Sequence, residues 1–381
     1  MIGARRLSAR AAPLGGGVAS SSSSISTVPR VAARPAGARR ASSSRTATTI
    51  AAAAAPSSGG DRPHALITGA NTGIGLETAK SLAKQGFAVT LACRDDAKAA
   101  AAADAVRRHA GAGADVATLR LDLASLASVR DAASLVLDGG RRLDVLVANA
   151  GVMAPPTRVA TADGFELQVG TNHLGHFALC ARLFPALRRR EAPAAAAGMP
   201  AAAAKRLVVV SSSAHLIPGL DLDDLNWRTR TYSAWPAYGA SKLANLLFTY
   251  ELARRLPPPA ASSPDGAFAP LTCNALMPGV VRTELSRYIM PNRESWTARL
   301  LGLLTLPITL EPVAGAATSI RLASDPGLEG VTGKYYDVYK NGGKPGGMPV
   351  QSQGSPSSYD EGAARRLWQL SEELVGVPFE V

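Results

Sequence analysis

The stretch that decides the fold is His64-Ala65-Leu66-Ile67-Thr68-Gly69-Ala70-Asn71-Thr72-Gly73-Ile74-Gly75. Its first four residues form a short apolar run that is typical of a buried strand. Residues 76–83 then place Leu and Ala at helical spacing, so the glycines lie between a strand and a helix. In that context, backbone N–H groups and the positive end of the helix dipole bind a dinucleotide pyrophosphate. The sequence therefore predicts a dinucleotide site here, although the G-x3-G-x-G spacing is one residue longer than the usual fingerprint.

Apolar runs of the same kind recur along the chain and alternate with helical patterns. They occupy residues 88–93, 117–121, 143–148, 207–210, 271–276 and 335–336. This alternation predicts an α/β fold, a Rossmann-type doubly wound parallel sheet of about seven strands in a single domain. Ligands bind at the carboxyl ends of the strands in such a sheet, which is where the motifs below lie.

Three further segments complete the predicted architecture. Residues 164–187 predict one long helix, and residues 361–375 predict an amphipathic closing helix that carries Leu367 and Trp368. Residues 341–358 are rich in Gly, Pro and Ser and predict a loop.

Residues 1–60 differ in composition from the rest of the 381-residue chain. They are rich in Ala and Ser, contain eight Arg and lack Lys, Asp and Glu. This composition predicts a disordered organelle transit peptide ahead of one catalytic domain over residues 61–381. The serine and alanine runs favour a chloroplast, and the Arg-only basicity leaves a mitochondrion open. Because this segment supplies much of the net charge of +12, that charge is poor evidence for nucleic-acid binding, and none is expected.

The end of the second predicted strand indicates which dinucleotide is bound. An NAD site usually has an acidic residue there for the ribose 2′-hydroxyl, whereas this chain has Arg94. A guanidinium pairs with a 2′-phosphate and stacks on adenine, so the sequence predicts NADP(H). Asp95 follows immediately and keeps NAD open. Asp122, after the third strand, is expected either to accept a hydrogen bond from the adenine amino group or to cap the next helix.

A tyrosine and a lysine four residues apart predict the chemistry. Tyr238 and Lys242 would lie on one face of a helix, one turn apart. A nearby ammonium stabilises a phenolate and lowers the pKa of the tyrosine, which suits it for acid/base work. Chance alone can give this spacing, so the motif gains weight from its surroundings. Those include Asn172, a helix amide that needs buried partners, and three serines at residues 211–213.

The cysteines and the helix histidines do not predict a metal site. Cys93, Cys180 and Cys273 are far apart in the sequence, which indicates free thiols in a reducing compartment. His173 and His176 are three residues apart, but no further ligand is spaced to complete a site. We therefore expect histidines that are packed or hydrogen-bonded within the helix.

Three segments stand apart from the core pattern. Residues 188–205 and 257–270 are low in complexity and predict surface insertions. Residues 284–312 carry a tryptophan and several leucines but are too short to span a bilayer. They predict either a lid over an apolar substrate, which we favour, or a shallow peripheral membrane contact.

Together these motifs resemble the short-chain dehydrogenase/reductase family over roughly residues 63–376. Within it the chain is similar to the retinol dehydrogenase branch, which is related to protochlorophyllide reductases and to a dehydrogenase-like component of the plastid import machinery. Met277 departs from the His that is common in that branch before Pro-Gly. The motifs occur in the family's order: residues 68–75, Asp122, Asn149-Ala150-Gly151, Asn172, residues 211–213, Tyr238-x3-Lys242 and Pro278-Gly279.

The resemblance implies roles for four catalytic residues. Tyr238 would give a proton to the carbonyl oxygen, and a serine hydroxyl would bind the same oxygen. Ser212 aligns best for this, although the run of three serines leaves its neighbours open. Lys242 would bind the nicotinamide ribose and lower the Tyr238 pKa, and Asn172 would hold a water that links Lys242 to solvent.

The resemblance also implies the cofactor contacts and the assembly. A homodimer or tetramer is expected, because the family often forms one. The implied NADP-binding residues are Gly69, Asn71, Thr72, Gly73, Ile74, Gly75, Arg94, Asp122, Leu123, Asn149, Ala150, Gly151, Tyr238, Lys242, Pro278, Gly279 and Thr283.

Three functions are compatible with the motifs. We favour the NADP(H)-dependent interconversion of an apolar carbonyl and alcohol, with a retinoid-like or other lipophilic small molecule as substrate. One alternative is the reduction of a ring C=C bond in protochlorophyllide within a plastid. The other is a non-enzymatic, NADPH-sensing subunit of an organelle membrane complex.

Overall fold

The computed structural model describes residues 62–188, 205–257, 269–281, 310–338 and 349–381. Its strands are β1 His64–Thr68, β2 Ala88–Cys93, β3 Val116–Arg120, β4 Val145–Ala148, β5 Lys205–Val210, β6 Leu271–Met277, β7 Tyr335–Asp337 and β8 Val350–Ser352. They form one sheet in the order β3-β2-β1-β4-β5-β6-β7-β8.

The sheet is parallel from β3 to β7, and β8 pairs antiparallel with β7. The strand order reverses direction between β1 and β4, which is the switch point where a doubly wound sheet binds its ligand. The predicted Rossmann-type α/β fold is therefore confirmed.

One prediction of a loop is wrong in part. Within residues 341–358, Val350–Ser352 forms the eighth strand and Pro356–Tyr359 forms a 3₁₀ turn, while residues 339–348 lie outside the described part of the chain. An edge strand of three residues is too short to show the alternation by which a strand is recognised. Its pairing with Tyr335–Asp337 supplies the order that its own sequence does not indicate.

Helices cover both faces of the sheet. Their bounds are α1 Gly73–Lys84, α2 Asp96–Ala110, α3 Leu126–Asp138, α4 Leu167–Val169, α5 Gly175–Arg188, α6 Ala234–Arg255, α7 Pro312–Ser324 and α8 Glu361–Val375.

The predicted long helix at residues 164–187 begins later and is interrupted. Gly164 has a φ of +83° in a tight turn that joins Ala160 to Glu166 by an antiparallel bridge. The helical chain begins at Leu167, passes through the π-helical residues Gly170–Leu174, and continues as α5. Such π-bulges are frequent at functional sites, and this one contains Asn172.

The two faces of the sheet are buried in two apolar clusters. Successive side chains of β1 point to opposite faces of the sheet, so Leu66 belongs to one cluster and Ile67 to the other. Both are fully buried, as in a parallel sheet with helices on each side. Every residue of β1, β2, β4, β5 and β6 is buried, so their carboxyl ends are held rigidly relative to one another.

The helix α6 is buried from Ala237 to Leu252, and its Leu246 and Phe248 belong to the same apolar cluster as Leu66. The closing helix α8 packs on it through Trp368, whose ring stacks on Phe248 with centroids 5.8 Å apart. The same indole meets Phe177 of α5 edge-on at 5.3 Å. The closing helix thus fixes α5 and α6 together, and the sequence-predicted amphipathic helix at residues 361–375 has the predicted bounds.

Some predictions fall outside the described residues. They are the transit peptide at residues 1–60, Thr283, nearly all of the predicted lid at residues 284–312, and most of the insertions at residues 188–205 and 257–270. Among the residues that the structure does describe, no helix has both the length and the apolar character needed to cross a bilayer.

Candidate active site

The glycine turn lies at the carboxyl end of β1 and leads into α1. Gly69 has a φ of +66°, and a Cβ there would lie 2.9 Å from the Cα of Ala150. A Cβ on Gly75 would lie 2.5 Å from Asn149 Nδ2 and 2.7 Å from the Gly69 carbonyl oxygen. The half-buried residues Asn71, Thr72, Gly73 and Ile74 form the exposed rim of this turn.

The turn after β4 is bound directly to the end of β1. The Thr68 hydroxyl oxygen accepts from the backbone N–H groups of Asn149 and Ala150, both at 2.9 Å. The Asn149 amide donates to the Thr68 carbonyl at 2.7 Å. The predicted cofactor residues Asn149, Ala150 and Gly151 therefore lie against the glycine turn, at the point where the strand order reverses.

Asn172 lies in the π-helical segment and is completely buried. Its Oδ1 accepts from the Val152 backbone N–H at 2.8 Å, and its Nδ2 donates to the Val152 carbonyl at 3.0 Å and to Ser241 Oγ at 2.9 Å. A Cβ on Gly151 would lie 3.1 Å from Asn172 Oδ1 and 3.7 Å from Lys242 Nζ, so a glycine lets the turn approach both side chains.

The three serines after β5 have different surroundings. Ser211 is buried and its hydroxyl donates to the Lys242 carbonyl at 2.8 Å, which holds β5 to α6. Ser213 is exposed and begins a 3₁₀ turn. Ser212 is half-buried and accepts from the Ala214 N–H at 3.2 Å, and its side chain is close enough to the Tyr238 phenol to lower the phenol's pKa. Of the three, Ser212 is the one beside the predicted proton donor.

Tyr238 and Lys242 lie in the buried part of α6, with Lys242 Nζ 5.8 Å from the centre of the Tyr238 ring. The ammonium donates to the Val210 carbonyl at 3.0 Å. Burial lowers the pKa of Lys242 to about 8. Burial raises the pKa of Tyr238 to about 12, partly opposed by the neighbouring Ser212 side chain, which lowers it.

The predicted lowering of the Tyr238 pKa is therefore not what the structure shows. The cost of ionising a phenol away from water exceeds the stabilisation available to the phenolate. Lys242 points its ammonium at the backbone of β5 instead of making a direct contact with the phenolic oxygen.

The residues predicted to select the cofactor lie at the ends of β2 and β3. Arg94 is exposed, whereas the Asp95 carboxylate accepts from the Lys98 N–H and caps α2. The Asp122 carboxylate accepts from the Ala124 N–H at 3.0 Å. Ser125 caps α3, so the alternative in which Asp122 caps that helix is wrong.

Two predicted cofactor segments border the site on other strands. Leu123 is buried, and its carbonyl would lie 2.3 Å from a Cβ on Gly175, so α5 begins against the end of β3. Pro278 and Gly279 follow β6 directly, and Gly279 turns the chain with a φ of +87°. Thr283 lies beyond the described residues.

His173 in the π-helical segment and His176 in α5 are hydrogen-bonded, as predicted. His173 Nε2 lies 2.9 Å from Ser371 Oγ of α8, and His176 lies between Thr68 and Asn172. Cys93, Cys180 and Cys273 are free and buried. The described ranges contain no group of three or more His, Cys, Asp or Glu side chains that could hold a metal ion.

Sequence reasoning missed two residues that hold this site together. Thr68 is part of the glycine motif, and its hydroxyl also accepts from the first two residues of the turn after β4. His215 has its Nδ1 2.6 Å from the Ser212 carbonyl and accepts from the Ser355 N–H at its Nε2. Thr68 could have been found from the sequence, because it is a polar residue that ends a buried strand. His215 could not, because its role depends on a contact with the distant Ser355.

Comparisons with known proteins agree with this arrangement. The family model described as short chain dehydrogenase matches residues 63–216. Human retinol dehydrogenase 13 is 41% identical over 312 residues, which cover 82% of this chain and 84% of the relative. A probable oxidoreductase of Streptomyces lividans is 40% identical over 331 residues, which cover 82% of this chain and 97% of the relative.

A solved structure from Mycobacterium paratuberculosis is similar in fold and sequence. It is 36% identical, has a TM-score of 0.62, and the match covers 84% of this chain and 98% of that one. A short-chain dehydrogenase of Shigella flexneri, solved with NADP, shares the fold at 23% identity and a TM-score of 0.52. The chain belongs to the short-chain dehydrogenase/reductase family, in its retinol dehydrogenase-like branch.

Proposed function

We propose that this protein is an NADP(H)-dependent oxidoreductase that interconverts an apolar carbonyl and its alcohol, with Tyr238 as the proton donor and acceptor. One observation carries the proposal: Tyr238 and Lys242 lie on α6 in its buried part, with Lys242 Nζ 5.8 Å from the centre of the Tyr238 ring, and the Ser212 side chain lies beside the phenol. A phenol and a neighbouring hydroxyl can both bind one carbonyl oxygen.

The residues at the switch point fit a nicotinamide dinucleotide. A Cβ at Gly69 or Gly75 would collide with Ala150 or Asn149, so glycines there keep the glycine turn close against the turn after β4. Such a turn at a helix N-terminus presents backbone N–H groups to a pyrophosphate. Gly151 gives the same close approach beside Lys242. The bound cofactor would supply the hydride, and the protein would supply orientation and a proton.

The protein's own groups can supply the proton that carbonyl reduction needs at neutral pH. With its pKa raised to about 12, Tyr238 holds its proton at Oη and can donate it to an oxygen that gains negative charge. Lys242, with a pKa lowered to about 8, is still mainly cationic at pH 7 and favours that charge. Ser212 holds the oxygen in line, and Asn172 fixes the adjoining turn through Val152.

The surface beside Tyr238 supports a lipophilic substrate. Trp235 meets the Tyr238 ring edge-on at 6.2 Å and is 46% exposed. Leu216, four residues after Ser212, is 63% exposed. Large apolar side chains at the mouth of a site bind apolar ligands. Relatives named retinol dehydrogenase suggest a retinoid-like molecule as the first substrate to test.

The test of the reaction compares wild type with Tyr238→Phe. Purified protein is assayed for NADPH oxidation with retinal and with aliphatic and aromatic aldehydes, and NADPH binding is measured by fluorescence. We expect kcat to fall about 10²–10⁴-fold, the range for loss of a general acid, with NADPH affinity retained. Tyr336→Phe, which removes a buried phenol from β7, is the matched control. Unchanged carbonyl reduction by the Tyr238→Phe protein would refute the proposal.

The cofactor preference is tested at Arg94. Its exposed guanidinium is available to a 2′-phosphate, whereas Asp95 is engaged as the α2 cap. Arg94→Asp should weaken NADPH binding about 10–100-fold, which corresponds to one charge-assisted interaction, and should leave NADH binding within about threefold. Lys98→Asp, an equal charge change on the exposed side of α2, is the control. Equal losses for both cofactors would contradict a 2′-phosphate contact.

A further inference from the structure

His176 connects the end of β1 to the π-helical segment that carries Asn172, and it has no role in the proposed proton transfer. Its Nδ1 lies 3.0 Å from the Asn172 carbonyl oxygen, and its Nε2 lies 2.9 Å from Thr68 Oγ1. The side chain is 4% exposed. It therefore lies between the end of β1, where the turn after β4 is bound, and the π-helical segment that carries Asn172.

These two contacts fix one protonation state of the ring. A backbone carbonyl only accepts, so Nδ1 must carry a proton. Burial lowers the pKa of His176 to about 4, so the ring is neutral at pH 7 and Nε2 is an acceptor. The Thr68 hydroxyl must then donate to Nε2.

That donation determines where the Thr68 lone pairs point. A hydroxyl has one proton and two acceptor positions. With its proton on His176 Nε2, both acceptor positions are used by the N–H groups of Asn149 and Ala150. The alternative acceptor for the proton, the Val147 carbonyl, is farther away at 3.3 Å.

The contacts close a ring around the turn after β4. Thr68 holds its first two residues, Asn172 holds Val152 at its other end, and His176 links Thr68 to the Asn172 backbone. We propose that His176 is a positioning residue, whose Nδ1–H tautomer orients the Thr68 hydroxyl and thereby sets the Asn149-Ala150-Gly151 turn for the nicotinamide cofactor.

The expected effect on kcat rests on the proposed function, whereas the expected shift of the turn after β4 does not. Loss of the ring nitrogens should let the turn shift relative to Lys242, which Gly151 brings within reach. Because the turn lies against the glycine turn, NADPH binding should weaken as well. Proton transfer tolerates little misplacement of the reacting groups. Variants that lose the His176 ring nitrogens should therefore lose kcat even when their free energy of unfolding changes little.

The kinetic test uses His176→Phe, His176→Gln and Thr68→Val in the full chain, with NADPH and the best carbonyl substrate of the wild type. His176→Phe keeps an aromatic ring at this position and removes both hydrogen bonds. The protein should still fold, because the Thr68 hydroxyl can donate to the Val147 carbonyl instead. His176→Gln places an amide oxygen near the Nε2 position and should restore part of the loss. We expect at least a tenfold rise in the NADPH Kd for His176→Phe and partial rescue for Gln.

The double variant His176→Phe/Thr68→Val separates coupling from general damage. If His176 acts through Thr68, the double variant should bind NADPH no more weakly than the single variant with the higher NADPH Kd. Either single change already breaks the contact between Thr68 and His176, so adding the other change loses nothing more through it. Additive losses, or an NADPH Kd within twofold of wild type for His176→Phe, would overturn the inference. Should the wild type bind NADPH but reduce no carbonyl, the proposed function fails, and the binding data still decide the role of His176.

A spectroscopic test needs neither cofactor nor substrate. The chain has five histidines, so ¹⁵N-labelled imidazoles can be assigned by comparison with the His176→Phe spectrum. We expect His176 to show a protonated Nδ1 and a bare Nε2 from pH 6 to pH 9. A protonated Nε2 in that range would overturn the inference, because Thr68 could not then donate to it.

Discussion

Asn172 and Val152 exchange two hydrogen bonds, with the Val152 N–H donating to Oδ1 at 2.8 Å and Nδ2 donating back to the Val152 carbonyl at 3.0 Å. The amide thereby pairs with one residue of the turn after β4 as a neighbouring strand would. Its second amide hydrogen goes to Ser241 Oγ of α6. One fully buried side chain thus joins the cofactor turn, the π-helical segment and the helix of Tyr238.

We predict that Asn172→Asp lowers the free energy of unfolding by about 1–3 kcal/mol, the cost of an unsatisfied buried group. A carboxylate can still accept from Val152 but cannot donate to its carbonyl or to Ser241. Urea unfolding at pH 7 measures the loss. Asn226→Asp is the matched control, since the Asn226 side chain acts as an acceptor for the Glu166 N–H at 3.0 Å. Equal losses in the two variants would contradict the donor role of Asn172.

The serines after β5 should separate stability from turnover. Ser211→Ala removes a buried hydrogen bond to the Lys242 carbonyl and should cost about 1 kcal/mol of stability while leaving kcat within about threefold. Ser212→Ala removes the contact with Tyr238 and should lower kcat by about 10²-fold with little change in stability. Urea unfolding and steady-state kinetics on both variants measure this. If Ser211→Ala lost the turnover instead, the assignment of Ser212 would be wrong.

One methyl group added to the glycine turn at Gly75 should strongly weaken NADPH binding. Gly75→Ala would place a Cβ 2.5 Å from Asn149 Nδ2 and 2.7 Å from the Gly69 carbonyl, so Asn149 or the turn must move. We expect NADPH affinity to fall at least tenfold, measured by fluorescence titration. Gly113→Ala, with nothing within 4 Å of the added Cβ, should bind NADPH like the wild type. Wild-type affinity in Gly75→Ala would show that the turn is not in contact with the cofactor.

The parts of the site that sequence reasoning could predict are those set by local spacing. Gly69 lies in the turn after β1, Gly73 and Gly75 lie in the first turn of α1, and Tyr238 and Lys242 lie one turn apart in the buried part of α6. Each depends on residues a few positions apart, whose relative placement the strand or helix determines. The doubly wound sheet follows from the same local patterns, because short strands alternating with helices leave few other arrangements.

What could not be predicted depends on which distant groups meet. Thr68 and His176 are 108 positions apart, and no local pattern indicates that their side chains are 2.9 Å from each other. The pKa of Tyr238 depends on burial by the whole fold, which reverses the direction expected from Lys242 alone. The π-bulge at Asn172 likewise has no sequence pattern of its own, and it divides a segment whose apolar spacing predicts one regular helix.

Four buried histidines, His64, His173, His176 and His215, should make the protein labile to acid, because burial lowers the pKa of each. Burial lowers the pKa of His64 to about 4, of His173 to about 3 and of His176 to about 4, against an ordinary value of 6.5. Between about pH 6.5 and pH 4 the unfolded chain therefore binds more protons than the native one. The free energy of unfolding must fall as the pH drops through this window, and the stability these neutral rings contribute is fully present only above pH 6.5.

The slope of that fall identifies the groups responsible. Each histidine contributes at most about 1.4 kcal/mol per pH unit, so His64, His173 and His176 together contribute up to about 4, and His215 adds to the same fall. Urea unfolding at pH 7, 6 and 5 measures it. His173→Gln can keep the hydrogen bond to Ser371 without titrating, so it should flatten the slope by up to one histidine's share. His109→Gln, at an exposed position on α2, should leave the slope unchanged. A wild-type slope in His173→Gln would mean that His173 is already protonated in the native state, which its buried, aromatic surroundings make costly.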